Sequence, residues 1–486
     1  MPGGGRWARP RTDPCRLIKR NRTAARCEHR AFTRALHDTG RQPARTIRWR
    51  RHMTNHDAAL RAAQPGDTAA TASAGRHVQL ALLVCAAGAI YPMLYLRQFY
   101  QDTMLDLFQI TRTQLGYLYS ALGTTFLVCY LPSGWLADRL PPRWLISFSL
   151  AGTGALGFWY ASVPSYATLM VIFCGWGVTT GLTFWASVIK RVKTIARPSE
   201  QGRFFGFLDG GRGLIEALLA TASLALFAWL VDTRGVSHGG AFRQVVVGYS
   251  LACIALGVLL LFVKEAAGAA AHDGVKAEKG DLGRDLLTLA RNRRLWVFAL
   301  IVFCGYHLSW ATYSISPYLQ QKGVGMSIVA AGFIASLKLW MRPIGGIGGG
   351  FVGDRIGTLN VLGGALFCAA LAFVGLIVFP SLDQIALLVG VVIVIGLLTY
   401  AVRGLYWSVL ERCDVPARIT GLAIGVISLL GYSPDVFLPL LNGWLTTAYP
   451  GMHGYQLYFG YVACVSAVGG GACLLLKGML KDAHAG

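Results

Sequence analysis

Long apolar segments recur along most of this chain, and they constrain its fold more than any other feature. From His77 onward each segment has about the 20 residues that a helix needs to cross the hydrocarbon core of a bilayer. Lipid offers no hydrogen bonds to the backbone, so segments of this kind must be helical. Charged residues make up 14% of the chain, against about 25% in a soluble domain. The sequence predicts twelve transmembrane helices, at 78–100, 114–134, 144–163, 166–189, 206–231, 244–263, 295–318, 327–350, 359–379, 384–408, 420–445 and 455–476.

The short connections between these segments carry positive charge unevenly. Alternate connections are rich in Lys and Arg, whereas the others hold only Arg112, Arg234, Arg243 and Lys322, apart from Arg97 in the first helix. Basic loops stay on the cytoplasmic side of a membrane. Both termini are therefore expected in the cytoplasm, and the predicted fold class is an all-α integral protein of the inner membrane.

A polar stretch at 264–294 divides the predicted helices six and six. We expect a cytoplasmic linker there, with a short amphipathic helix near 283–292. The linker separates an N-terminal six-helix bundle, 78–263, from a pseudo-symmetric C-terminal one, 295–480. The residues before the first helix, 1–77, are rich in Arg and Ala and lack a sustained apolar face, which is typical of disorder.

The basic N-terminal tail contributes much of the formal net charge of +22. Because the remaining charge lies in short loops, with no aromatic-basic patch, we expect no nucleic-acid partner. A start at Met53 would remove residues 1–52, and we expect Met53 to be the native start. The eleven Cys are scattered without a CxxC motif, which favours small buried hydrophobes over disulfides or metal ligands. We expect no metal, no cofactor and no enzymatic activity, because the sequence has no nucleophile elbow or Gly-rich phosphate loop.

One loop motif occurs in both halves of the chain. The stretch 134–139 (Gly-Trp-Leu-Ala-Asp-Arg) follows the second predicted helix, and 350–355 (Gly-Phe-Val-Gly-Asp-Arg) follows the eighth, an offset of 354 − 138 = 216 residues. An Asp at a helix end can pair with an Arg or with the N-terminus of a neighbouring helix. We therefore expect these residues to latch the cytoplasmic face when it is closed. The predicted latch comprises Gly134, Asp138, Arg139, Arg143, Gly350, Asp354 and Arg355.

This repeated motif resembles the loop signature of the major facilitator superfamily, Gly-x-Leu-Ala-Asp-Arg-x-Gly-x-Arg/Lys. The first copy keeps Leu136 and Arg143 and has Pro141 where the second Gly is usual. The resemblance implies two related six-helix bundles with a substrate site between them. It also implies transport by alternating access, in which one bundle rocks against the other.

A narrower resemblance is to the organophosphate:phosphate antiporter branch of that superfamily. It lies in 94–99 (Leu-Tyr-Leu-Arg-Gln-Phe) and 111–117 (Thr-Arg-Thr-Gln-Leu-Gly-Tyr). In that branch the first-helix Arg contacts the substrate phosphate, which implies this role for Arg97. The position of the branch's second phosphate-binding Arg is occupied here by Ser309, so a phosphate site would be incomplete.

Lys338 and Arg342 stand near the midplane of the eighth helix, where an ionisable group costs about 2.5–3.5 kcal/mol to insert. At i and i+4 they share one helix face, so two like charges stand side by side. A substrate anion would relieve the repulsion, and so would acidic neighbours such as Asp435 in a structural network. We expect at least one of the two cations to contact substrate or an ion. Arg97 is expected either in the cavity or at the periplasmic interface.

Five further ionisable residues have two interpretations each. Glu216 and Asp435 lie near the midplane, where a carboxylate either balances a cation or carries a proton. Asp209 and Arg212, at i and i+3, look like a local pair near the cytoplasmic end of the fifth helix. Arg403, near the cytoplasmic end of the tenth helix, is expected at the interface, with substrate exit as the alternative.

Some uncharged candidates also lie at membrane depth. His307 is expected to be a hydrogen-bonded histidine of the bundle, with a ligand or proton site as the alternative. Tyr95 and Trp310 are candidates for a cavity wall, although most aromatics in such proteins pack or lie at the interface. The candidate substrate-binding residues are Arg97, Lys338, Arg342, His307, Trp310 and Tyr95. The candidate coupling or charge-pair residues are Glu216, Asp435, Asp209, Arg212 and Arg403.

These patterns favour a monomeric secondary transporter that moves a small organic anion across the inner membrane. Its energy would come from protons or from exchange for a second anion. The excess of midplane cations is what favours an anion. Proton-coupled uptake of a neutral sugar or polyol is one alternative, in which the midplane charges pair with each other. A membrane sensor built on a transporter scaffold is another.

Overall fold

A computed structural model describes residues 65–197, 201–262, 282–322, 324–378, 385–416 and 419–485. Within these ranges it describes all side chains except those of 65–74, 131, 138, 201–203, 282, 411, 420–421 and 482–485. Most of the predicted tail and most of the predicted linker therefore lie outside the described residues, as does the predicted start at Met53. The residues from Ala74 to the C-terminus form one compact unit.

The described elements are helices, and we number the α-helices in chain order. They are α1 (Pro65–Leu94), α2 (Arg97–Phe108), α3 (Arg112–Arg139), α4 (Pro142–Ala161), α5 (Tyr166–Gly177), α6 (Trp185–Ile195), α7 (Gln201–Ala228), α8 (His238–Phe262), α9 (Leu282–Arg291), α10 (Arg293–Ala311), α11 (Ile315–Leu319), α12 (Ile328–Ile356), α13 (Thr358–Val378), α14 (Ile385–Leu405), α15 (Thr420–Gly431), α16 (Pro434–Ala448) and α17 (Met452–Ala485).

In the described ranges, ten helical stretches are long and apolar enough to cross a membrane. Four of them join two α-helices, namely α1 with α2, α5 with α6, α10 with α11, and α15 with α16; the other six are built on α7, α8, α12, α13, α14 and α17. Helices α3 and α4, of 28 and 20 residues, are not among the ten. The count of twelve spans, the division into two bundles and the cytoplasmic termini stay predictions.

The helix ends differ from the predicted ones mainly at the two extremes of the described chain. Helix α1 begins at Pro65 instead of at 78, and the last helix runs over Met452–Ala485 instead of 455–476. The short amphipathic helix predicted near 283–292 is present as α9. Hydropathy locates apolar cores, whereas helical turns of mixed polarity continue beyond them without an apolar signal.

Four spans are interrupted at positions that turn out to surround a central cavity. The first breaks at Tyr95 and Leu96, after Pro92 has removed a backbone donor from α1. The last of the four breaks at Tyr432 and Ser433, directly before Pro434 begins α16. Between them, a π-helical segment (Val178–Leu182) separates α5 from α6, and a 3₁₀ turn (Thr312–Ser314) separates α10 from α11. Interrupted spans are typical of transporter binding sites, because backbone polar groups freed from a helix must face a cavity or protein.

Glycines let α12 approach α14 closely in the second half of the chain. A Cβ atom at Gly345 would lie 2.5 Å from the Leu397 carbonyl oxygen, and one at Gly349 would lie 3.0 Å from the Ala401 Cβ. Small residues at helix interfaces allow this approach in membrane proteins. The contact fixes α14 against α12, and thereby brings their cationic side chains to neighbouring positions.

Candidate functional site

The central cavity has a volume of about 190 Å³ and is bounded by both halves of the chain. That volume is below the ~300–1,000 Å³ of pockets for drug-sized molecules, so it suits a small solute. Five of its lining residues are acidic or basic, and seven others are tyrosines. The ionisable and polar lining residues are Tyr91, Tyr95, Gln98, Tyr130, Thr180, Trp185, Arg212, Glu216, Tyr306, Tyr313, Tyr400, Arg403, Arg342, Tyr432 and Asp435.

On one wall an ion-pair network joins α12 to α7. Arg342 donates to Glu216 Oε2 at 2.8 Å through Nη1 and to Asp209 Oδ1 at 2.7 Å through Nη2. Arg212 pairs with Glu216 on the same helix at 3.3 Å and stacks between the rings of two aromatic residues, 5.0 Å from each centroid. The carboxylates that balance Arg342 therefore come from the other half of the chain.

This network bears on two predictions from the sequence. Asp209 and Arg212 were predicted to form a local pair; among the described residues Asp209 forms its ion pair with Arg342, and Arg212 forms its ion pair with Glu216. Arg342 lies between Asp209 and Glu216, and both carboxylates stabilise its buried charge. The acidic neighbour that was considered for the helix-eight cations, Asp435, does not pair with them. Arg342 does line the cavity, but its charge is already balanced.

On a second wall, formed by α10, α14 and α16, Arg403 has neutral partners. Its Nη1 lies 3.4 Å from Ser309 Oγ, and its guanidinium carbon lies 5.8 Å from the centroid of the Tyr306 ring. Among the residues that the structure describes, no carboxylate lies within ion-pair distance of it. Arg403 was expected at the membrane interface, with substrate exit as the alternative; it lines the cavity from α14, which favours the alternative.

Lys338 lies behind this wall, beside a small chamber of about 20 Å³. Its side chain is 1% exposed, its Nζ donates to Thr312 Oγ1 at 2.8 Å, and the Tyr313 ring centroid is 4.6 Å from Nζ. Within the described ranges no carboxylate pairs with it. The chamber shares Tyr313, Tyr400 and Arg403 with the central cavity, so Lys338 and Arg403 face one polar corner. Thr399 also lines the chamber, and its buried hydroxyl has no hydrogen-bond partner in the structure.

Asp435 is the carboxylate of this second wall. It is 2% exposed and lies in the first turn of α16. Its Oδ1 accepts hydrogen bonds from the Tyr306 hydroxyl at 2.8 Å and from Trp310 Nε1 at 2.5 Å. Trp310 thus holds Asp435 by a hydrogen bond but does not line the cavity. Tyr95, the other predicted aromatic contact, does line it.

Arg97 and His307, two more of the predicted substrate contacts, lie outside the lining of the central cavity, as Lys338 and Trp310 do. Arg97 is 3% exposed, and its Nη2 donates to Asn442 Oδ1 of α16 at 3.0 Å and to Gln101 at 3.2 Å. Its guanidinium carbon lies 5.0 Å from the Tyr119 ring centroid. It lies neither in the cavity lining nor at an exposed interface, because α2 carries it into the contact between α1–α2 and α16.

His307 is the last of the predicted substrate contacts that lie outside the lining of the central cavity. The residue is fully buried, its Nδ1 is 2.8 Å from the Phe303 carbonyl oxygen and its Nε2 is 3.1 Å from the Tyr461 hydroxyl. The neighbouring Tyr306 points at Asp435, so His307, one residue further along α10, faces α17 instead. Both ring nitrogens have partners, which agrees with the interpretation of a hydrogen-bonded bundle histidine.

The predicted latch residues occupy equivalent helix ends. Arg139 is the last residue of α3, and Asp354 and Arg355 lie in the last turn of α12. Arg139 stacks on Trp135 at 3.9 Å from its centroid, and the side chain of Asp138 lies outside the described residues. Gly134, Asp354 and Arg355 are exposed, Gly350 is half-buried, and Arg143 stacks on Trp144 at 5.5 Å. The latch function therefore stays a prediction.

Sequence reasoning offered Tyr91, Tyr95 and Tyr313 as residues that could line a cavity, but it missed Tyr130 and Tyr400. The hydroxyls of Tyr91, Tyr95, Tyr130, Tyr313 and Tyr400 have no hydrogen-bond partner within the described ranges, and all five residues line the cavity. Only Tyr95 was in the predicted binding set. The available signal was the position of the helix breaks at Pro92 and Pro434, because broken spans mark the site level in transporters.

The chain matches the model of the Major Facilitator Superfamily over residues 80–439. It is 27% identical over 400 residues to the inner membrane protein YihN of Escherichia coli K12, covering 81% of this chain and 94% of that protein. It is 28% identical to the inner membrane protein YqcE of the same organism, covering 78% of this chain and 90% of that protein. It is 23% identical to the protein named "Probable galactarate/D-glucarate transporter GudP" of Bacillus subtilis, covering 76% and 84% respectively.

Solved structures with the same fold are also found. A bacterial homologue of the human lysosomal transporter Spinster, in an inward-facing and unoccupied conformation, superposes with a TM-score of 0.69 at 14% identity, covering 84% of this chain and 98% of that one. The nucleoside transporter NupG gives a TM-score of 0.62 at 16% identity, covering 83% and 99%. At these identities the likeness establishes the fold alone.

Proposed function

The chain belongs to the Major Facilitator Superfamily, and on that premise we propose that it carries a small polyhydroxylated organic anion across the inner membrane. Members of this superfamily are transporters, so the chain is a membrane transporter and not an enzyme. The names of the two E. coli relatives support the inner membrane as its location. Alternating access between the two halves, around the central cavity, is the proposed mode of transport.

The observation that carries the anion proposal is the polar corner formed by Arg403 and Lys338. Both cations are held by hydroxyls and aromatic rings, and neither has a carboxylate partner in the described part of the chain. A cation in a low-dielectric site attracts an anion strongly when no protein carboxylate neutralises it. A substrate carboxylate at this corner would meet both charges and the unpartnered hydroxyl of Thr399.

The net charge of the cavity lining is also positive. Three arginines line it, namely Arg212, Arg342 and Arg403, against two carboxylates, Glu216 and Asp435, which gives 3 − 2 = +1. Lys338, on the adjoining chamber, adds to this positive balance. The lining therefore favours a solute of negative charge.

The uncharged part of the lining suits hydroxyl groups. Five tyrosine hydroxyls face the cavity without a partner among the described residues, and Gln98 contributes a buried Oε1 that also lacks one. Sites that hydrogen-bond a substrate hydroxyl discriminate strongly against solutes that lack it. A relative such as the GudP protein is named for galactarate and D-glucarate, which combine carboxylates with several hydroxyls.

Uptake into proteoliposomes tests this proposal with a series of six-carbon polyhydroxy solutes that have two, one or no carboxylates. The labelled solutes are D-glucarate and galactarate with two carboxylates, gluconate with one, and galactitol with none. We expect carboxylates to be carried and galactitol to be excluded. In Arg403→Gln we expect the KM of the carried anion to rise about 30-fold or more, because loss of one partner of a desolvated charge pair costs about 2–5 kcal/mol.

Arg234→Gln is the matched control, since Arg234 is exposed and stacks on Trp229 away from the cavity. It should leave the KM unchanged. Transport of galactitol at the rate of the acids would contradict the proposal. So would an Arg403→Gln protein that inserts, folds and keeps the wild-type KM for the anion.

A further inference from the structure

One carboxylate in the cavity has no cation beside it. Glu216 is paired with Arg342 at 2.8 Å and with Arg212 at 3.3 Å. Asp435 has only neutral donors, and both of them bind its Oδ1. No cation lies within ion-pair distance of Asp435 in the described residues, and its Oδ2 has no protein partner there. We propose that Asp435 Oδ2 is the proton-binding site through which a proton and the substrate anion cross the membrane together.

This inference rests on the proposed function, because it names the coupling ion for the same cavity. A carboxylate in a membrane interior needs a compensating charge, and a proton is the smallest group that can supply it. Oδ1 is held by two donors and stays an acceptor. Oδ2 is therefore the atom that gains and loses the proton, with access from the cavity that Asp435 lines.

Among the described residues, Arg403 is the one cation that shares the wall of Asp435. From α10 Asp435 meets Tyr306 and Trp310, and from α14 it faces Arg403 across the cavity corner. His307 of α10 hydrogen-bonds to Tyr461 of α17. The other ionisable groups around the same cavity are Tyr91, Tyr95, Tyr130, Tyr313, Tyr400, Tyr432, Arg212, Glu216 and Arg342.

Tyr306 connects the proton site to the anion site. Its hydroxyl donates to Asp435 at 2.8 Å, while Arg403 stacks over its ring at 5.8 Å. When Asp435 is ionised, its charge and the substrate carboxylate compete for the field of Arg403. When Oδ2 carries a proton, Arg403 is left to the substrate alone. Protonation therefore favours anion binding, and the bound anion favours protonation by the same factor.

The site also lies where the two halves of the chain touch. A Cβ atom on Gly123 of α3 would collide with the main chain of Asp435, so α3 and α16 are in direct contact here. Asp435 follows the break at Tyr432 and Ser433 by two residues. A change of charge at this position acts on a contact between the halves and on a helix break, which are the parts that alternating access must move.

The cycle is balanced with one proton for each monoanion carried. Oδ2 takes a proton from the side to which the cavity is open, and the anion binds at Arg403. When the cavity opens to the other side the anion leaves, and Oδ2 releases the proton there. An imposed gradient of about one pH unit, acid on the side of entry, then supports about tenfold accumulation of a monoanion, since about 1.4 kcal/mol equals a factor of ten.

The experiment compares driven uptake with counterflow in proteoliposomes, using gluconate, or whichever member of the acid series is carried. Wild-type protein should accumulate gluconate about tenfold under a gradient of about one pH unit. Asp435→Asn should accumulate none above equilibrium, yet should still exchange labelled for unlabelled solute in counterflow. Asp106→Asn makes the same change at an exposed carboxylate of α2 and should behave as wild type.

Accumulation by Asp435→Asn at the wild-type level would overturn the inference. So would wild-type net uptake that does not respond to the imposed pH gradient. If no solute of the series is carried, the proposed function fails while the proton site is tested separately. Trp310 reports on Oδ1 directly, so its emission, taken as wild type minus Trp310→Phe, should change in a pH titration and be constant in Asp435→Asn. An unchanging difference signal in wild type would remove the proton site as well.

Discussion

The two walls of the central cavity hold their charges in different ways. On the wall from α7 and α12, Arg342 reaches two carboxylates at 2.7 and 2.8 Å, and the network is internally neutralised. On the wall from α10, α14 and α16, Arg403 and Asp435 are held by hydroxyls, an indole and aromatic rings. Both walls line the same cavity.

The difference separates charges that hold the protein together from charges that remain available to a ligand. A buried ion pair has already recovered its desolvation cost through its partner, and it is strongly destabilising to break. A buried charge with neutral partners is not neutralised by the protein, so it can still attract a substrate of opposite charge or, for a carboxylate, bind a proton. We therefore expect substitutions on the first wall to alter stability and substitutions on the second to alter transport.

The largest effect is expected at Arg342. Arg342→Gln leaves Glu216 and Asp209 without their shared cation, and should lower the free energy of unfolding by about 3–5 kcal/mol. The double variant Arg342→Gln/Glu216→Gln removes both charges of the more buried pair, and should recover most of that loss. Reversible unfolding in mixed detergent micelles measures both values.

The structural role of the wall from α7 and α12 is contradicted if Arg342→Gln is as stable as wild type. It is also contradicted if the double variant is the less stable of the two, since the carboxylate left behind would then not be the source of the loss. Uptake by the double variant is a second readout, because removing a structural pair should leave the KM for the carried anion near its wild-type value.

The next effect concerns Arg97, a third buried cation with neutral partners. Asn442→Leu removes the hydrogen bond at 3.0 Å that joins Arg97 to α16, and hydrogen bonds to charged groups contribute about 1.5–3 kcal/mol. We expect a loss of unfolding free energy of that size. Asn442→Asp is the matched control, since the Nδ2 atom of Asn442 has no partner and its replacement by oxygen supplies a counter-charge. It should be no less stable than wild type, and a destabilised Asn442→Asp protein would show that Arg97 requires a neutral partner.

The fold was largely predictable from the sequence because lipid imposes one strong rule on it. Apolar length locates spanning helices, and predicted cores such as 206–231 and 359–379 fall inside or close to α7 and α13. The repeated loop motif was correctly placed at the ends of α3 and α12. Family membership followed from the same repeat and is confirmed by the match over 80–439.

The partners of the midplane charges were not predictable to the same degree. Sequence spacing shows which residues share a face of one helix, but not which face of another helix meets it. Hence Arg342 was named as a candidate, while its partners Glu216 and Asp209 on α7 were not predicted. Arg403 was expected near the cytoplasmic end of its helix, and sequence position could not show that its side chain lines the cavity.

A substitution that makes the second wall resemble the first sharpens the comparison. Thr312 accepts a hydrogen bond from Lys338 at 2.8 Å, and Thr312→Asp would give Lys338 a carboxylate instead. The net charge of the corner would fall from +2 to +1, so the affinity for the carried anion should fall at least about tenfold, or about 1.4 kcal/mol. Equilibrium binding to the detergent-solubilised protein measures this directly.

Thr312→Asn is the control for shape, because it has the same size without the charge. It should bind the anion more tightly than Thr312→Asp does. Equal affinities of the two variants would mean that the side-chain volume, and not the neutralised cation, is responsible.

The smallest effect on stability is expected at the predicted latch. Asp354 and Arg355 are exposed, and no ion pair involves them within the described ranges, so Asp354→Asn should change the free energy of unfolding by no more than about 0.5 kcal/mol. If the latch closes the cytoplasmic face in another state of the cycle, the same variant should slow uptake while leaving equilibrium anion affinity unaltered. Stopped-flow uptake beside equilibrium binding separates the two quantities. An uptake rate equal to that of wild type would show that the repeated motif serves only to keep positive charge on one side of the membrane, because the carboxylate would then contribute to neither the folded state nor the cycle.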